Sequence, residues 1–144
     1  MQMKKIFFLI IVAFALNSCN KEEDSSQVRY ELLPIDYCRM PYYFQQGETY
    51  DLEMFFKKPT SCHFYKGIYF EKQGNTRVVA IQSAVVQTNS CVTYDYQNNT
   101  SLQPDSVKCK FTATGTETYT FKFWTGKNAQ GEDTYYDVEV PVEN

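Results

Sequence analysis

The chain has 144 residues, 17% of them aromatic, with 12 Tyr and 11 Phe, and a net charge of −3. That length fits a single domain with ample material for a core. The acidic balance argues against nucleic acid and against anionic head groups as partners, because phosphates require a basic face.

The first segment is an address. Met1-Gln2-Met3-Lys4-Lys5 is basic, and residues 6–16 form an uncharged apolar run of about 11 residues. A basic start, a short apolar stretch and a small residue before a cut site make a secretory signal. The run is too short to cross a bilayer as a helix. Losing Lys4 and Lys5 with the leader takes the net charge from −3 to −5.

Leu16-Asn17-Ser18-Cys19 resembles the bacterial lipobox, with Asn17 departing from its commonest form. The resemblance implies cleavage after residue 18 and lipidation of Cys19. Each buried methylene contributes about 0.8 kcal/mol, so two or three acyl chains on one residue would hold a small protein on a membrane. Lipidation also resolves an odd count of five cysteines in an oxidising compartment. Lys21-Glu22-Glu23-Asp24 resembles the surface-export signal of Bacteroidota lipoproteins, which implies an outer-membrane anchor with the domain exposed at the cell surface. Residues 19–27 read as a lipidated flexible tether, their charges keeping the chain extended.

From Val28 onward apolar residues recur with a period of two. Residues 28–32 alternate until Pro34, as an edge strand does. Residues 42–44 read as a short further piece of that edge. Residues 49–56 form the clearest strand, with Tyr50, Leu52, Met54 and Phe56 on one face and Asp51 and Glu53 on the other. Residues 63–72 follow, with Phe64, Ile68 and Phe70 placed together. A turn at Gln73-Gly74-Asn75 leads into a Val- and Ile-rich strand over residues 76–88. Residues 92–96 read as a short strand and 97–106 as a polar loop. Residues 107–113, 118–125 and 135–142 complete the set, the last placing Tyr136, Val138, Val140 and Val142 on one face.

About eight short strands without a long helix, each half polar, predict two sheets with dry faces together and one wet face each. The expected fold is therefore all-β, an antiparallel sandwich over residues 28–144 behind the cleaved leader at 1–18. The Tyr-rich and final Val-rich strands resemble those of immunoglobulin-like domains, although the Cys…Trp…Cys signature of antibody domains is missing.

Cys38, Cys62, Cys91 and Cys109 remain for disulfides, with three pairings open. The hairpin at Gly74 puts Cys62 and Cys91 at one end of the sandwich. Cys38 and Cys109 are expected at the other, so the predicted bridges are Cys62–Cys91 and Cys38–Cys109. Cys91–Cys109 competes with poorer register. No Cys-x-x-Cys pair supports a zinc site, and no cofactor motif is present.

His63 beside Cys62 suggests a Cys–His dyad, but strand neighbours point to opposite faces, which favours a turn residue next to a disulfide. No catalytic residues are assigned. Trp124, Tyr42, Tyr43 and Tyr69 are candidate ligand contacts, since exposed aromatics stack on sugars or anchor protein partners. Asp105-Ser106-Val107 matches the O-glycosylation triplet of Bacteroidota, making Ser106 a candidate glycan acceptor. Lys58-Pro59-Thr60-Ser61-Cys62, with the Trp124 region, resembles the loops of chagasin-like cysteine-protease inhibitors, but the Asn-Pro-Thr-Thr-Gly and Arg-Pro-Trp pieces are absent. The leading expectation is a non-enzymatic surface lipoprotein that binds an extracellular glycan or protein, or mediates adhesion. The alternatives are a protease inhibitor and a small accessory to carbohydrate-active enzymes.

Overall fold

A computed structural model describes residues 27–143. The leader at 1–18, the lipidation candidate Cys19, the export-signal resemblance at 21–24 and tether residues 19–26 lie outside the described residues.

The described residues fold as an all-β sandwich of ten strands: β1 (Val28–Leu33), β2 (Ile35–Arg39), β3 (Phe44–Gln45), β4 (Thr49–Phe56), β5 (His63–Gln73), β6 (Thr76–Val86), β7 (Asp105–Thr112), β8 (Tyr119–Lys127), β9 (Asp133–Val140) and β10 (Val142–Glu143). β1, β5, β6, β8 and β9 form one sheet; β2, β4 and β7 form the other; β3 and β10 make a two-stranded strip.

β6 is the spine of the larger sheet. One flank pairs along its length with β5 in the hairpin that Gly74 closes at φ +60. The other flank is divided. β1 runs antiparallel beside Ile81 to Val86, and β8 runs parallel beside Thr76 to Val79. Ala80 has a ladder partner only on the β5 side, Tyr69. β1 leaves the sheet at Pro34, and the chain continues as β2 beside β4 in the facing sheet. Proline cannot donate to a ladder, so it suits the point where a strand changes sheets.

Between the sheets lies an aromatic core. Phe44 packs its ring 4.9 Å from Tyr50, 5.2 Å from Phe111 and 6.1 Å from Phe121. Leu33, Ile35, Leu52, Met54, Phe56, Val79, Ile81 and Val140 fill the rest. The Tyr119 hydroxyl accepts a 2.7 Å hydrogen bond from the Gly115 N–H at the corner between β7 and β8. That tie from an early strand residue back to the corner is the tyrosine-corner device of Greek-key sandwiches. Arg77 is buried, donating to the carbonyls of Gly74 (2.7 Å) and Thr76 (2.9 Å) with its guanidinium 5.0 Å from the Tyr119 ring centre.

Several expectations change. Two pairings are parallel, β6 with β8 and β3 with β10, where antiparallel pairing alone was expected. Residues 92–96 form no strand: Thr93 makes an isolated bridge to Thr60. Residues 135–142 do not run as one strand, because Pro141 ends β9 and Val142 turns to pair with Phe44. Phe64 does not share a face with Ile68 and Phe70. A bulge between Tyr65 and Gly67 adds one residue, and a single inserted residue reverses the facing of what precedes it. Phe64 therefore joins the outer face and His63 the inner one.

Cys62 and Cys91 are bonded, closing a loop of sequence separation 29. Cys38 and Cys109 are free. Cys38 pairs in register with Met54, and Cys109 with Leu52, on opposite flanks of β4. Two strand spacings of about 4.8 Å each exceed the Cα separation a disulfide tolerates. Placement at one end of the sandwich was the wrong criterion; lateral strand order decides. Burial foremost, then the neighbouring Cys109, pushes the Cys38 thiol up to about 12, and burial raises Cys109 as well. Both therefore stay protonated and unreactive near neutral pH. Alkylation under denaturing, non-reducing conditions should label Cys38 and Cys109 and leave Cys62 and Cys91 unlabelled; a Cys38–Cys109 peptide would contradict this strand order.

Candidate functional site

The outer faces of the two sheets differ in kind. On the smaller sheet, β4 presents Asp51, Glu53 and Phe55, and its neighbours supply partners. Arg39 Nη1 lies 2.7 Å from Glu53, Lys110 Nζ lies 3.2 Å from Asp51, and Ser106 Oγ donates to Glu53 at 3.3 Å. This is the wet face that alternation predicts. Ser106, the glycosylation candidate, is exposed there as the second residue of β7.

The larger sheet is different. Val28, Tyr30 and Leu32 of β1, Phe64 and Tyr69 of β5, and Tyr135 of β9 are all exposed large side chains. Pairing of Tyr30 and Phe64 with Ala84, of Tyr69 with Ala80 and of Trp124 with Tyr135 sets these residues on one outer face. An expected wet face is thus largely aromatic and aliphatic, and contiguous apolar surface of that kind marks interaction sites.

A groove is cut into this face where β1 departs and β8 arrives. Its floor is Val78 and Ala80, its walls are Tyr69 of β5 on one side and Leu32, Trp124 and Tyr135 on the other, and its volume is about 180 Å³. Glu71, Gln73 and Asp133 stand at its edge. A second hollow of about 450 Å³ adjoins it, lined by Tyr30, Glu31, Leu32, Lys66, Gln82 and Ser83. Leu32 lines both.

The polar groups of the groove are held in place. The Tyr69 hydroxyl donates to Glu71 Oε2 at 2.6 Å, and Gln73 Nε2 donates to Glu71 Oε1 at 2.8 Å. Trp124 Nε1–H donates to Asp133 Oδ1 at 2.9 Å, and Lys127 Nζ lies 2.8 Å from the same oxygen. Each tie fixes an aromatic ring to a carboxylate. The Tyr69 and Gln73 donors hold Glu71 below its ordinary 4.5. Lys127 first, then Trp124, hold Asp133 below its ordinary 3.8. Hydrogen bonds to the charged form favour it. Both edge carboxylates are thus ionised acceptors near neutral pH. Because their folded values are depressed, these pairings are present above the ordinary carboxylate range and are lost as pH falls through the depressed values.

Of the four aromatic contacts expected from sequence, the structure brings Trp124 and Tyr69 to one groove. Tyr42 and Tyr43 lie on the turn before β3, outside the groove's lining, with Tyr42 96% exposed. Sequence reasoning missed Leu32, Tyr135, Ala80 and the edge residues Glu71, Gln73 and Asp133. Outward alternation at Tyr69, Glu71 and Gln73 was a usable signal, but no sequence pattern reveals that β1 and β8 share a flank of β6.

His63 is not part of a dyad with Cys62, whose sulfur is bonded to Cys91. Its ring is buried, with Nε2–H donating to Glu31 Oε1 at 2.7 Å and Nδ1 lying 2.8 Å from Thr60 Oγ1. It ties β1 and the Thr60 turn to β5. Lys58–Cys62 sits at the Val86 end of β6, whereas Trp124 lies with Val78 and Ala80, so the loop and the tryptophan do not meet. Among the described residues no group of three or more His, Cys, Asp or Glu is placed to hold a metal ion.

Comparison with protein-family models, with curated proteins and with solved structures finds no match for this chain.

Removing the Tyr69 hydroxyl removes the largest influence on Glu71. In a pH titration followed by carboxyl NMR shifts, Tyr69→Phe should move the Glu71 midpoint up toward 4.5 and leave Asp133 where it is. An unchanged Glu71 midpoint would show that the pair does not hold the groove edge.

Proposed function

We propose that this chain is a surface-anchored binding module whose groove between Tyr69 and Trp124 takes a glycan. One observation carries the reading: two aromatic walls stand over a floor of small residues, with ionised carboxylates and an amide at the rim. Ligand sites are concave and mostly apolar, with a few placed polar groups. Sugar rings offer an apolar C–H face to stack on aromatics and hydroxyls to donate to carboxylates. Carboxyls held ionised suit hydrogen-bond acceptance; a glycosidase acid requires a raised value. Anchoring through Cys19 to the outer membrane, facing outward, completes the proposal and rests on the residues of the leader and of 21–24.

The test is a glycan array with the domain from Gln27 onward, whose core residues all fall between Leu33 and Val140, with calorimetry on the strongest hits. Trp124→Ala should lower affinity at least about tenfold, as loss of an aromatic anchor does, and Tyr42→Ala should leave it unchanged. Binding that survives Trp124→Ala, or an array without hits, would overturn the assignment.

A further inference from the structure

We propose that the glycan taken by the groove is acidic, with an anionic sugar in the hollow at Lys66 and a neutral sugar between Tyr69 and Trp124; this rests on the glycan reading of that groove.

The bulge in β5 creates the anionic end. Tyr65 pairs with Ser83 and Gly67 with Gln82, so Lys66 is the extra residue, with no partner on β6. A bulge re-aims the side chain it inserts, and Lys66 lines the larger hollow together with Tyr30, Leu32 and Gln82. Because Leu32 borders both hollows, they form one track along the outer side of β6. From Gln82 to Val78 that track covers about 13 Å of strand, so its ligand is an oligosaccharide.

The charges along the track are polarised. Lys57, Lys58, Lys110, Lys122 and Lys127 each lie within ion-pair distance of an aspartate. Among the described residues, Lys66 has no such carboxylate. Glu31, which also borders this hollow, is engaged by Arg29 at 3.0 Å and by His63 at 2.7 Å. The Lys66 end therefore offers an uncommitted cation, and an ammonium with free donors is a point-charge partner for a carboxylate or sulfate. At the other end, Glu71 is ionised with no cation in ion-pair range among the described residues and repels an anion, while Asp133 is paired with Lys127; both carboxylates can accept from neutral hydroxyls. Among the described residues Lys72 and Lys108 likewise have no carboxylate within ion-pair distance, but neither lines the two hollows, whereas Lys66 does; in a chain that is acidic overall, attraction of an anion to the groove falls to that residue. Opposite preferences at the two ends also fix the direction in which the glycan lies.

The full-length protein in detergent is titrated with oligosaccharides in matched pairs, each uronate- or sulfate-bearing probe beside its carboxyl-reduced or desulfated form. The acidic member should bind roughly tenfold tighter at low salt, and the difference should shrink as salt rises. Lys66→Ala should bring the acidic member down to its neutral counterpart, while Trp124→Ala weakens both. Equal binding within pairs, or a preference that survives Lys66→Ala, overturns the acidic assignment and leaves the groove standing. No binding of either member, or binding indifferent to Trp124→Ala, overturns the groove and this inference with it.

Discussion

The arrangement depends on how the ladder beside β6 is shared. A strand of eleven residues has more flank than either β1 or β8 covers, and the two meet it from opposite directions. β1 must turn away at Pro34 to reach the facing sheet. β8 enters from the other end and passes close to that turn: a Cβ on Gly126 would lie 3.7 Å from Pro34 Cγ, and Gly126 itself sits at φ +115. A side chain there would be strained by that backbone conformation, while the proline would be in ordinary van der Waals contact with it. The seam between the two strands falls at Ala80, a short side chain, and the larger side chains on either side become walls.

That geometry explains why the groove is lined as it is. The short side chains of Val78 and Ala80 leave room, and the large outward residues of β1, β5, β8 and β9 stand around them. The outer face of the smaller sheet is of the other kind: Arg39 pairs with Glu53 and Lys110 with Asp51 across its strands. Keeping Tyr30, at 72% exposure, and Phe64, at 52%, in contact with water gains nothing for the fold itself, since the core is complete beneath them. Tying Trp124 to Asp133 and Tyr69 to Glu71 reduces the freedom that a ligand would otherwise have to freeze, which is the general advantage of a preorganised site.

The layers were legible in the sequence because alternation is a local signal. The inward set Leu52, Met54 and Phe56 and the inward set Tyr119, Phe121 and Phe123 come from period two alone, and both are buried. The bridge between Cys62 and Cys91 came from one hairpin. What alternation does not contain is lateral order. Cys38 and Cys109 were expected to bond because their ends coincide, yet β4 runs between them. The bulge at Lys66 was equally hidden, since Phe64-Tyr65-Lys66-Gly67 carries no sequence mark of an extra residue except the glycine after it. Trp124 and Tyr69 could be named as exposed aromatics, but that they face one another across Ala80 depends on the parallel seam, a long-range feature.

The central claim is that a ligand sits against Trp124, and this residue is the single tryptophan of the chain. Its emission therefore reports on the groove without labelling. Titration with an oligosaccharide of known affinity should change the intensity or wavelength of that emission saturably, with the same midpoint as calorimetry. Full calorimetric occupancy with unaltered emission would place the ligand elsewhere and contradict the account.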